Sequence, residues 1–175
     1  MVVMVVMTAA ADNPLRVKSG SLKPLKDAGQ TISCTFDFTK TNANQKPLNE
    51  YLADDYGSSR RDFDSEVPTM VQWFAERWDD DIKKGPKYTK NADAPFHMVV
   101  EVRTLQLGSR NGLGASSFSG YVNFYRKGEA EPFAVVEVLK QQGTQFGTPL
   151  PGYLGLNQAF SDLAEFLCKL IKRAK

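Results

Sequence analysis

Four stretches of the chain place apolar side chains at every second position, and two longer ones place them at every third or fourth. In residues 31–38, Ile32, Cys34, Phe36 and Phe38 point one way while Ser33, Thr35 and Asp37 point the other. Such alternation marks a strand buried on one side. Residues 96–107 repeat it, with Phe96, Met98, Val100 and Val102 against His97, Val99, Glu101 and Arg103. Residues 118–126 set Phe118, Val122 and Phe124 against Tyr121, Asn123 and Tyr125. Lys127, Gly128 and Glu129 then supply a hairpin turn into a fourth strand over 133–140. That strand's nearly continuous apolar run predicts an interior position, covered on both faces along part of its length.

The helical period predicts one long helix over 65–84, where Val67, Met70, Val71, Phe74, Trp78 and Ile82 share a stripe. Ser65 reads as its N-cap, with Pro68 early enough to be tolerated and Gly85 and Pro86 as the stop. A closing helix is expected over 156–172, buried through Leu156, Phe160, Leu163 and Leu167. Residues 47–56 read as a short helix. Residues 12–30 read as an extended lead-in with a short strand near Leu15. The predicted order is β-α-α-β-β-β-α. The fold class is α+β: a two-layer sandwich whose mixed, mainly antiparallel four-stranded sheet carries its helices on one face.

Length adds that a chain of 175 residues fits one domain, here 12–175. At that size roughly 70% of the unfolded surface can be buried without disulfide or metal. Charge adds little, because 22 basic and 20 acidic side chains leave a net +2. No dominating basic face of the kind nucleic-acid binders carry is expected. Lys169, Lys172, Arg173 and Lys175 read as a solvated helix end.

No run reaches the roughly 18 apolar residues of a membrane span. The first eleven residues nevertheless stand out: Met-Val-Val-Met-Val-Val-Met, then Thr8 and three alanines. They read as the back half of a secretory signal with cleavage after Ala11, or alternatively as a buried strand. The first reading places the chain in the periplasm or outside the cell, and the second in the cytoplasm. No cysteine follows the apolar run, so no lipid anchor is expected. A bridge between Cys34 and Cys168 stays open at this point.

Candidate chemistry is sparse. The single histidine, His97, lies on an outer row with no G-x-S-x-G elbow in the chain. One histidine and two scattered cysteines exclude the usual zinc ligand sets. A calcium loop begun at Asp62 would need glycine in place of Val67 and glutamate in place of Trp73. The Asp79–Asp81 run fails in the same way. Glu76 and Asp79 offer one carboxylate pair for glycoside chemistry. No metal and no cofactor are predicted. The glycine-rich stretch 108–117 lacks the Gly-Lys-Ser/Thr of a P-loop and leads into a strand; Arg110 is its one candidate ligand contact. The richer surface is the polar face of the sheet, where Arg103, Tyr121, Asn123 and Tyr125 join residue types enriched at interfaces.

Asn13-Pro14-Leu15-Arg16-Val17, the strand end Phe36-Asp37-Phe38, the Tyr51-Leu52 pair and the entry into Met98-Val99-Val100 together resemble a family of small exported proteins of uncharacterised function from Bacteroides-type bacteria. More distantly, the succession of strand, glycine-rich loop, strand and closing helix is similar to the periplasmic α/β domain of curli-secretion lipoproteins and penicillin-binding-protein activators. Those resemblances imply envelope assembly through protein contacts. The expected function is therefore a non-enzymatic, exported binding or envelope-assembly module. Its partner would be an envelope protein or a second copy, held on the outer sheet face. The alternative is a hydrolase of envelope sugars or peptides working through a carboxylate pair.

Overall fold

The computed structural model describes residues 13–53, 60–108, 115–145, 148–149 and 152–175. In chain order they form β1 (Leu15–Gly20), a 3-10 turn (Lys23–Leu25), β2 (Thr31–Asp37), β3 (Asn42–Ala43), β4 (Lys46–Pro47), α1 (Leu48–Ala53) and α2 (Arg60–Ile82). There follow β5 (Lys87–Tyr88), β6 (Phe96–Gln106), β7 (Ser117–Arg126), β8 (Ala134–Gln142), β9 (Thr144–Gln145), β10 (Thr148–Pro149) and α3 (Gly152–Arg173). Among the described residues the fold is mixed α+β, with three α-helices and an eight-stranded, mostly antiparallel sheet.

The expected four strands are present as β2, β6, β7 and β8, but the sheet is larger. Its path runs β1-β8-β7-β6-β2-β5, with β3 added to β6 and β4 to β3. β2 lies parallel to β6, as a helical crossover demands, and β6, β7 and β8 form the antiparallel meander. Gly128, at φ 82°, turns β7 into β8, where the amide of Glu129 donates to the Arg126 carbonyl at 3.1 Å. β1 is a full strand antiparallel to β8, and it makes β8 interior within the sheet. β8 is not covered on both faces, however. Its outer row ends in Leu139, 52% exposed.

The inner row and the helices share the core. Phe160 of α3 sits between Phe36 of β2 and Phe118 of β7, at ring separations of 4.6 Å and 4.4 Å. Trp78 of α2 is fully buried beside Phe74, and its indole N–H donates to the Pro86 carbonyl at 2.7 Å. That bond ties α2 to the segment leading into β5. α2 and α3 are joined outside the core by Arg77, which pairs with Asp81 at 2.8 Å and with Glu165 of α3.

Helix bounds differ from expectation at their starts. α2 begins at Arg60, so Ser65 is not an N-cap; its hydroxyl donates to the Asp62 carbonyl within the helix at 2.8 Å. The reason is Phe63, buried at 3% exposure, which gives the charged first turns an anchor of their own. Pro68 lies on the exposed side of α2, where a carbonyl left without its N–H partner is open to solvent. Asp79 and Asp81 are half-buried and engaged. Asp79 accepts the Tyr88 amide at 2.7 Å, holding β5 to α2. Cys34 and Cys168 are free thiols, both pushed up by burial, Cys168 to about 12. The proposed leader, residues 1–11, lies outside the described residues.

Candidate functional site

The uncovered side of the sheet takes its shape from strand register. One row crosses five strands as Asp37, Glu101, Tyr121, Glu137 and Arg16. The next row sets Thr35, Val99, Asn123 and Val135 side by side, and another sets Ser33, His97 and Tyr125. Adjacent side chains in such rows stand about 5 Å apart, close enough to interact.

Glu101 organises the centre. It pairs with Arg103, and the Asn123 side-chain amide reaches its second oxygen at 3.5 Å. Arg103 owes its position to a register shift between Val102 and Thr104, which leaves it without a cross-strand partner on β7. Bulges of this kind re-aim a side chain. The guanidinium then lies 6.0 Å from the centre of the Tyr121 ring, with its Nε buried and without a partner among the described residues. From β1, Lys18 approaches the same ring to 4.7 Å and its hydroxyl to 3.4 Å. Arg16 pairs with Glu137 one row position away. Gly120 permits the close approach of β7 to β6, since a Cβ there would lie 2.0 Å from the Glu101 carbonyl oxygen.

Three of the predicted residues, Arg103, Tyr121 and Asn123, therefore converge on Glu101. Tyr125 stands apart, opposite His97, with its phenol pushed up by burial and by Glu101 and Glu131. His97 is held by Ser33 at 2.8 Å and Thr35 at 3.3 Å, and burial lowers its pKa. Among the described residues no carboxylate contacts the imidazole, so this Ser-His contact lacks the third member of a nucleophilic triad. Arg110 lies outside the described residues. Arg16 and Lys18 were missed, because β1 shows no alternation. Their signal is charge on an edge strand.

Two hollows adjoin the face. One of about 480 Å³ at its end is lined by Thr104, Ser119, Leu139 and Lys140, among others. The other, a cleft of about 660 Å³ beside the end of β2, takes in Asp37, Thr39, Lys40 and Asp64. Asp37 is held below the usual carboxylate range by the hydroxyl and then the amide of Thr39, so it is an ionised acceptor. No histidine or cysteine lines the cleft. The pair Glu76 and Asp79 is not assembled for catalysis, since Gln72 donates to Glu76 at 2.8 Å and Asp79 anchors β5. No cluster of three metal-ligating side chains occurs among the described residues.

No protein-family model and no curated protein matches the chain. Solved structures do. Two PelC dodecamers from Paraburkholderia phytofirmans superpose with TM-scores of 0.41 and 0.42 at 9% identity, covering 91% of this chain and 91% of theirs. The likeness is too loose to carry an argument about function or assembly. Among the described residues, no helix is long and apolar enough to cross a membrane.

Proposed function

We propose that this protein is a non-enzymatic binding module of the bacterial envelope, exported to the periplasm or beyond, whose outer sheet face docks a protein partner. The observation that carries the reading is a face spanning β1, β8, β7, β6 and β2 with every described long helix packed on the other side. Tyrosine and arginine at its centre are the residue types that dominate protein interfaces. Arg103 and Lys18 brace Tyr121 in place, which lowers the entropy lost when a partner orders it. Leu139, exposed at the end of the face, adds one apolar contact there.

Two measurements test this. Mass spectrometry of the mature chain from its native host should show a new N-terminus at Asp12; an intact Met1 would contradict export. Tyr121→Ala with Tyr125→Ala should reduce capture of a defined envelope partner at least tenfold. Unchanged capture by the folded double variant would refute the outer face as the docking surface.

A further inference from the structure

The end of the helical layer carries a second surface with different chemistry. Lys26, Lys83, Lys84 and Lys172 line one hollow of about 390 Å³ together with Asp27, over a floor of Ile82 and Ile171. These residues lie far apart in sequence. They converge because α2 and α3 end together and the 3-10 turn after β1 folds beneath both. Lys26 fixes that convergence by donating to the Ala174 carbonyl at 3.0 Å. Lys83 adopts φ 52° to end α2, and the amides of Lys84 and Gly85 both return to the Ile82 carbonyl. Arg173 and Lys175 extend the patch from the end of α3, both exposed. Among the described residues, Lys83, Lys84, Lys172, Arg173 and Lys175 form no ion pair within 4.0 Å.

The whole chain is only +2, so this is an arrangement of charge and not an excess of it. Asp62 and Asp64 stand in the first turns of α2, beside Arg60 and Arg61 in sequence and about 30 Å away. Asp27 at the rim and Asp79 to Asp81 in the last turn of α2 offset part of that charge, but the six cations still share one end of the molecule.

We infer that this lysine-lined end docks on a bilayer surface rich in anionic lipid. The lining decides between partners. Its cations are mostly flexible lysine point charges, with no aromatic ring for stacking bases and no serine, threonine, asparagine or glutamine to orient a single phosphate. A charged lipid surface asks for neither; it requires several cations on one side of the protein. The isoleucine floor is buried, so the contact is electrostatic and at the headgroups. Docking at this end leaves the outer sheet face open to a partner.

Flotation of the full chain with phosphatidylcholine vesicles, with and without phosphatidylglycerol, tests the inference. Binding should require phosphatidylglycerol and weaken as sodium chloride screens the charge. Each cation is worth about fivefold in partitioning, about 1 kcal/mol. Lys83→Gln, Lys84→Gln and Lys172→Gln combined should therefore cost about 100-fold. Lys40→Gln with Lys46→Gln, at the far end, should cost less than twofold. Circular dichroism of each variant confirms folding. Equal binding to neutral vesicles, or an unaffected triple variant, would overturn the inference. Displacement by inorganic phosphate at matched ionic strength would overturn it in favour of a discrete anion site. Tighter retention on duplex DNA through the same lysines would overturn it in favour of nucleic acid.

Discussion

The two faces of the sheet are built from the same strands and stabilised by different physics. On the inner face Met98, Val100, Val122 and Val136 are each at most 1% exposed and meet helices whose rings interlock around Phe160. On the outer face the neighbours of these residues make ion pairs and ring contacts that water also reaches. Buried apolar contact is dense and sensitive to volume, whereas exposed ion pairs contribute roughly 0–1 kcal/mol each. Folding therefore depends on the inner face. The outer face contributes less to folding, and its order comes from mutual bracing instead of burial.

Substitutions on either side can break or sharpen that contrast. The largest effect belongs to Phe160→Ala, which removes a fully buried ring from between two others and should cost about 3–5 kcal/mol in urea unfolding. A loss below about 1 kcal/mol would mean the helical layer is not closed on the sheet. Gly120→Ala comes next. Its methyl group would press on the Glu101 carbonyl, so β6 and β7 must shift, at a cost of about 1–3 kcal/mol. Tyr121→Ala with Tyr125→Ala should stay within about 1 kcal/mol, as for half-exposed positions without core contacts. A larger loss would move the tyrosines from binding to folding.

The smallest effect concerns His97 and is visible only as a pH slope. Burial lowers its folded pKa below 6.5, so the unfolded chain takes up a proton first as pH falls. Its contribution is complete above about pH 6.5 and is lost as pH drops through the folded value. His97→Gln should flatten the loss of stability between about pH 7.5 and 5.5; an unchanged slope would show that Ser33 and Thr35 do not hold a neutral imidazole.

Periodicity made the inner face readable before any coordinates. Phe96, Met98, Val100 and Val102 repeat every second residue, and Leu156, Phe160, Leu163 and Leu167 every third or fourth, because each element buries one side only. The edges were readable only in part: a short strand is expected near Leu15, where β1 runs, but its length and its pairing with β8 are not. β1 buries Leu15 alone and exposes the rest, so it carries no alternation. β3, β4 and β5 are two residues each, too short for any period, and exist because a neighbouring strand offers free amides and carbonyls. On the outer face, Tyr121 and Asn123 could be assigned by alternation from the core. The position of Arg103 depends on a bulge, and the company of Lys18 depends on long-range pairing. The lysine-lined end was hidden for the same reason: residues 26, 83, 84 and 172 meet only once the helices are packed.

Thiol labelling on β7 tests the contrast between the two faces most directly. With Cys34→Ala and Cys168→Ala as background, single cysteines replace Tyr121 and Val122, adjacent residues with opposite facing. The account predicts that Tyr121→Cys reacts in the native protein at the rate of a partly exposed thiol. Val122→Cys should react only as fast as the protein unfolds. Equal protection of both would show that another copy or another part of the chain covers the outer face, and the open docking surface would be contradicted.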